Sequence, residues 1–308
     1  MSFETPILLI TFNRLSTTKK VFERIKEQKP KYLFIASDGP RLDKPDDIQK
    51  ISEVKSYISD QIDWDCEVKT LFRETNLGCG LAVSGAITWF FEYVEQGIIL
   101  EDDCVPYPDF FSFCEETLAY YKADDRIWEI SGTNLQGGLQ RGEGAYYFSN
   151  YGGIWGWATW ARAWNNYDFK MNNYDLFIKE KRIAQIFKDR EQQKFWINTL
   201  NKAKDIDTWD YQWLMTIWSN KGLSIIPNVN LIENIGFDSI GTHTKNEPSW
   251  YKPLSMGDGK LGKILHPYKV EVNTEADDFF YYKCFKVSFL KSQFSRIISG
   301  IKRRLFKA

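Results

Sequence analysis

Short apolar runs alternate along this chain with stretches whose apolar residues recur every three or four positions. "PILLITF" (6–12) predicts a buried strand. From Ser16, "STTKKVFERIKEQ" offers a cap residue and then Val21, Phe22 and Ile25 at helical spacing. "KYLFIAS" (31–37) predicts a second strand, Asp46–Ser59 a helix, and "CEVKTLF" (66–72) a third strand. "GLAVSGAITWFFEYV" (80–94) predicts a helix and "GIIL" (97–100) a fourth strand. This alternation predicts an α/β fold, a mixed, mostly parallel sheet with helices on both faces. In such sheets ligands sit outside the carboxyl ends of the strands. "TFNR", "SDGP", "RETNLG" and "EDD" all fall at those ends.

Beyond Phe111 the pattern loosens. "FFSFCEETLAYYKAD" reads as helix and Ile127–Ser131 as strand. "YGGIWGWATWARAW" (151–164) mixes Gly with Trp, and residues 174–204 predict two polar helices. "TWDYQWLMTIWSNKG" predicts a helix closed by Gly222, and "LSIIP" a short strand. The expected organisation is one catalytic body over residues 1–280. Its nucleotide-binding half covers about 1–131 and its acceptor half about 132–280, with a basic amphipathic helix over 281–308.

At 308 residues, 43% hydrophobic and 26% charged, the composition is that of a globular protein with a large core. Aromatics reach 16%, with 12 Trp, which fits either ring-binding clefts or a Trp-rich core. No apolar run reaches spanning length, and the start "MSFETPILLITFNR" lacks the pattern of a secretory signal. The five cysteines are scattered without a C-x-x-C pair, so a reduced, cytoplasmic setting is expected. Residues 281–308 carry eight Lys or Arg and no acid; removing those charges from the net −1 leaves −9 on the body. That tail either packs as a last helix or lies on the anionic inner face of the cell membrane. The acidic body argues against nucleic acid as a partner.

Glu101–Asp103 end the fourth strand with three like charges. They read either as a solvated turn, with Asp109 capping the helix that starts near Pro108, or as a site for a hard divalent cation. Thr11, Asn13 and Arg14 follow the first strand, and Arg73, Asn76 and Gly78 the third. Arg14, Arg73 and free N–H groups of "NLGCG" suit phosphates. Asp38 suits a base or ribose, and an ion at the triplet would bridge a diphosphate. Asp210 reads equally as a general base or a helix N-cap. His243 in "GTHT" is either a metal or diphosphate ligand or a loop histidine.

With "NRLSTTKKVFERI", "SDGP", "EDDCVPYPDFFSFCEETLAYYKADDRIWEISGTN", "GIWGWATWARAW" and "WDYQW" in this order from residue 6 to about 220, the chain resembles the GT-A glycosyltransferases. The resemblance is to the N-acetylglucosaminyltransferase I type, and "NLIENIGFDSIGTHT" is similar to bacterial polysaccharide transferases of the same group. The resemblance implies Asp103 as direct ligand of Mn2+ or Mg2+, Asp102 on the ribose, and Glu101 on the donor sugar. It implies Arg14 and Asp38 on the nucleotide and Asp210 as base beside Trp209. Trp155 and Gly156 of the "GIWGW" stretch join the expected donor site. This chain has "WDYQW" where the family has a W-D-D-W sequence. The implied activity is inverting transfer from a nucleotide sugar, UDP-linked by expectation, to a glycan or lipid-linked acceptor in surface polysaccharide synthesis. A sugar-nucleotide nucleotidyltransferase is the rival enzyme, but "TFNRLSTTKK" lacks the glycine-rich, lysine-bearing signature it needs near the first strand. A non-catalytic glycan- or nucleotide-binding protein would keep the aromatics without needing the acids and Asp210 together.

Overall fold

The computed structural model describes residues 3–237 and 247–286. His243 and residues 287–308 of the basic tail lie outside the described residues. The first half follows the predicted alternation: β1 (Ile7–Thr11), α1 (Leu15–Gln28), β2 (Tyr32–Ser37), α2 (Asp46–Gln61), β3 (Glu67–Phe72), α3 (Gly78–Phe90) and β4 (Gln96–Glu101). Then come β5 (Cys104–Pro106), α4 (Pro108–Tyr120), β6 (Ile127–Ser131), β7 (Tyr146–Ser149) and β8 (Trp157–Trp160). Among the described residues one 8-stranded sheet runs β3-β2-β1-β4-β8-β6-β9-β7, where β9 is Leu223–Pro227. β1, β2, β3, β4, β6 and β9 run one way, and β7 and β8 run against them. β10 (Ile232–Asn234) pairs with β5 beside this sheet. The expected mixed, mostly parallel α/β sheet is therefore what the chain forms.

Strand side chains alternate between faces. Ile7 and Leu9 of β1 join Leu33, Ile35, Ile98 and Leu100 under Phe22 and Ile25 of α1, Val54 of α2 and Phe110 of α4. Leu8 and Ile10 point the other way, with Phe34, Ala36 and Ile99, onto Ala86, Ile87 and Phe90 of α3. Because both faces are covered, β1, β2 and β4 read as continuous apolar runs. β3 is different: it is the outer strand and largely exposed, and Glu67 and Lys69 keep that edge charged.

Several boundaries differ from the sequence reading. The 174–204 stretch forms three helices, α6 (Tyr174–Lys179), α7 (Arg182–Ile186) and α8 (Arg190–Ala203), after the short α5 (Ala161–Trp164). Left-handed Lys181 ends one turn and starts the next. α9 spans Asp210–Ser219; left-handed Lys221 makes its terminal turn and Gly222 N–H closes it on the Ile217 carbonyl at 2.8 Å. β5, β7, β8 and β10 went unpredicted because each is three or four residues long, with no period to see. Asp109 does not cap α4; its carboxylate accepts from Leu261 N at 2.8 Å.

The Trp excess goes mostly to the core. Trp157, Trp160, Trp196, Trp213 and Trp218 are fully buried. Among the described residues α10 (Tyr251–Leu254) and α11 (Thr274–Phe280) are the last α-helices, and α11 runs into a π-helical turn, Tyr281–Lys286. That turn packs Phe285 against Trp196 at 5.1 Å, so the start of the basic segment belongs to the body. No helix among the described residues is long and apolar enough to cross a membrane.

Candidate active site

A cleft of about 770 Å³ opens at the carboxyl ends of β1, β2 and β4. Thr11, Arg14, Asp38, Arg73, Asn76 and Gly78 line it, together with Glu101, Asp102 and Asp103. Trp155, Trp209 and Asp210 also line it. Residues from "TFNR", "SDGP", "RETNLG" and "EDD" thus share one space.

The acidic triplet is not a solvated turn, because Asp102 is 3% exposed. Arg14 Nη2 donates to Asp102 Oδ1 and to Asp103 Oδ2, the latter at 2.7 Å. Burial works against the guanidinium charge, but Asp102 and Asp103 outweigh it and hold the Arg14 pKa above its ordinary value. Asp102 is pushed up to about 6 by burial in spite of Arg14. Glu101 is pushed up to about 8 by burial, then by Asp103 and Asp102. One cation shared by two carboxylates, and protons retained by the crowded acids, let three like charges end a buried strand. Among the described residues Asp102 Oδ2 is buried without a hydrogen bond of ordinary geometry, although the Phe12 backbone N–H helps to lower the Asp102 pKa. A Cβ on Gly236 would overlap Asp103 Oδ2, so that carboxylate depends on a glycine beside it. Among the described residues no group of three or more His, Cys, Asp or Glu converges as a complete metal cage.

The loop before α3 corrects one expectation. The N–H groups of Leu77 and, in the first turn of α3, of Cys79 and Gly80 are not free for phosphate. Asp38 accepts from Gly39 N at 2.9 Å and Leu77 N at 3.0 Å. Asp207, from the loop after α8, accepts from Cys79 N at 2.9 Å and Gly80 N at 2.7 Å. Gly78, at φ +79°, leaves room for that carboxylate, which a Cβ would meet at 2.5 Å. Gly78 and Gly80 both approach Asp207 closely, but nothing near them in sequence names that residue. Arg73 pairs with no acid among the described residues and faces the cleft, its pKa lowered by burial against a partial pull from Asp38.

Asp210 is the first residue of α9, and Trp209 occupies the cap position, so the N-cap reading does not hold. Thr208 Oγ1 donates to Asp210 Oδ1, as does Tyr211 N at 2.9 Å. Oδ2 makes no hydrogen bond among the described residues. The charge of Asp210 acts on Glu101. The Cys79 thiol lies within reach of all these acids. Burial pushes it up to about 12, helped by Glu101, Asp207, Asp210 and Asp38.

Other expected residues serve the scaffold. Thr11 Oγ1 donates to the Ala36 carbonyl at 3.2 Å, and Asn76 Nδ2 to the Gly39 carbonyl at 2.9 Å. Asn13 does not line the cleft; it donates to Asp47 Oδ1 at 2.6 Å. Gly156 also lies off the cleft: it adopts φ +64° against Ile232, where a side chain would collide. Trp209 is 2% exposed and stacks on Trp157 at 5.7 Å, whereas Trp155 packs edge-on to Phe237 at the cleft.

No protein-family model matches this chain. No curated protein matches it either. Among solved structures it is similar to a cytidylyltransferase from Leptospira borgpetersenii, at 9% identity and TM-score 0.35, covering 55% of this chain and 64% of that one. Mouse xyloside xylosyltransferase 1 matches at 10% identity and TM-score 0.34, over 69% of this chain and 80% of that one. The 4-diphosphocytidyl-2C-methyl-D-erythritol synthase of Anaerococcus prevotii matches at 10% identity and TM-score 0.31, over 65% and 100%. The chain thus spans less than two thirds of the Leptospira protein, and these likenesses are too partial to carry chemistry.

Proposed function

We propose that this protein is an inverting, metal-dependent glycosyltransferase of the GT-A type, moving a sugar from a UDP-linked donor to a hydroxyl of a glycan or lipid-linked acceptor. The observation that carries the reading is the meeting of Glu101–Asp103 and Asp210 in one cleft. Asp210 Oδ1 is held by Thr208 and Tyr211, which leaves Oδ2 to take the acceptor proton. Attack from the base side, opposite the departing diphosphate, inverts the anomeric carbon. Arg73 and Arg14 line the cleft and would meet the nucleotide's phosphates. Asp103 and Asp102, whose Oδ2 makes no side-chain hydrogen bond among the described residues, would hold the divalent ion. Mn2+ or Mg2+ there would neutralise the leaving diphosphate. Nucleotidyl transfer is the second reading; what speaks against it is that β1 ends at Thr11 and α1 begins at Leu15. That short connection leaves little chain to wrap a triphosphate.

The test is a panel of UDP-, GDP-, CMP- and dTDP-sugars, read by thermal shift and nucleotide release with manganese or chelator. Stabilisation by one UDP-sugar that needs manganese, with release of UDP, is expected. Release of pyrophosphate from a nucleoside triphosphate and a sugar phosphate would refute the reading.

A further inference from the structure

Glu129 lies in the middle of β6 and is 1% exposed. No cation pairs with it among the described residues. Burial pushes it up to about 7, against the pull of its two hydrogen bonds. Gly153 N donates to Oε1 at 2.7 Å, and Trp213 Nε1 donates to Oε2 at 2.7 Å. A Cβ on Gly152 would overlap Oε1, so the 152–153 loop is built around this carboxylate. The loop runs directly into Ile154 and Trp155, which line the cleft. Trp213 is one helical turn beyond Asp210 on α9. An acid buried among Trp side chains is costly, and a well-packed apolar residue would serve core stability better.

We infer that Glu129 is a positioning residue for the transfer, fixing the helix that carries Asp210 against the glycine loop of the cleft; this rests on the reading of Asp210 as base. Each carboxylate oxygen ties one element to β6. The base and the loop therefore move together or not at all.

Glu129→Gln keeps the volume but can accept from only one of the two donors and turns an N–H toward the other. Trp213→Phe deletes the indole N–H from the opposite side and serves alone should Glu129→Gln not fold. UDP release from UDP-N-acetylglucosamine and the other UDP-sugars of the panel gives kcat and KM, and calorimetry gives UDP affinity. Either variant should lose roughly 10- to 100-fold in kcat, the scale of a displacement of about 1 Å. Donor KM and UDP affinity should stay within about twofold. The double variant should be no slower than the worse single one, as expected of a shared tie. Amide exchange should rise together in residues 153–155 and the first turn of α9, and remain unchanged in α1 and α2. Unchanged kcat in Glu129→Gln, while Asp210→Asn is inactive, overturns this inference alone. Loss of UDP affinity with exchange raised throughout shows Glu129 to be structural only and overturns it too. If Asp210→Asn keeps full turnover, or the parent protein releases UDP from no donor, the reading of Asp210 and this inference fall together.

Discussion

Arg14→Met should destabilise this protein, and more at pH 8 than at pH 5. The Arg14 side chain is 17% exposed, its partners Asp102 and Asp103 5% and 18%. Removing one member of a buried pair leaves the other charge uncompensated and costs about 3–5 kcal/mol. Two carboxylates lose their cation here, and Glu101 stands beside them. The sign with pH follows from their protons. Asp102 at about 6 and Glu101 at about 8 already lie above ordinary carboxylates, and losing Arg14 removes a pull that lowers both. Between the unfolded pKa, near 4, and the raised folded values, the native state binds more protons than the unfolded chain. Stability in that window therefore falls as pH rises. At pH 5 both groups keep their protons, so the missing cation costs less there. At pH 8 the larger loss is expected, up to about 6–10 °C in melting temperature at roughly 2 °C per kcal/mol. Thermal melts of parent and variant at both pH values, with manganese or chelator, make the measurement. Manganese should restore part of the loss at pH 8, since it offers the same carboxylates another cation. An equal loss at both pH values, or a shift under about 2 °C at pH 8, would refute the electrostatic account of the triplet.

Asp210→Asn should bind UDP as the parent does while turnover falls ~100-fold or more, the scale of general-base catalysis; weaker UDP binding with unchanged turnover would make Asp210 a binding residue. Gly236→Ala should push the Asp103 carboxylate aside and weaken UDP binding in manganese, with binding in chelator unaffected. Loss in both conditions would tie Gly236 to the fold rather than to Asp103. A chain ending at Lys286 should keep its fold, because Phe285 stays packed on Trp196. It should lose sedimentation with anionic vesicles, to which each basic residue contributes roughly 1 kcal/mol; equal sedimentation with and without residues 287–308 would remove the membrane reading.

The first half of the fold was legible because its signals are local. β1, β2 and β4 announce themselves as apolar runs, α1 shows its period in Val21, Phe22 and Ile25, and the polar clusters follow the strands directly. Parallel pairing then brings "TFNR", "SDGP" and "EDD" to one edge, so most residues named from the sequence line the cleft. What those residues touch could not. Arg14 meets Asp102 across 88 positions, Asp207 meets Gly80 across 127, and Glu129 meets Trp213 across 84. Contacts at such separations leave no periodicity, because they depend on how the sheet and helices pack rather than on any one segment. The N–H groups at the start of α3 looked open to phosphate only because the carboxylate that meets them, that of Asp207, is 127 positions away from Gly80. Glu129 looked like one polar residue in an apolar strand. Packing made it the tie between loop and helix, since a buried carboxylate must find donors wherever the fold presents them.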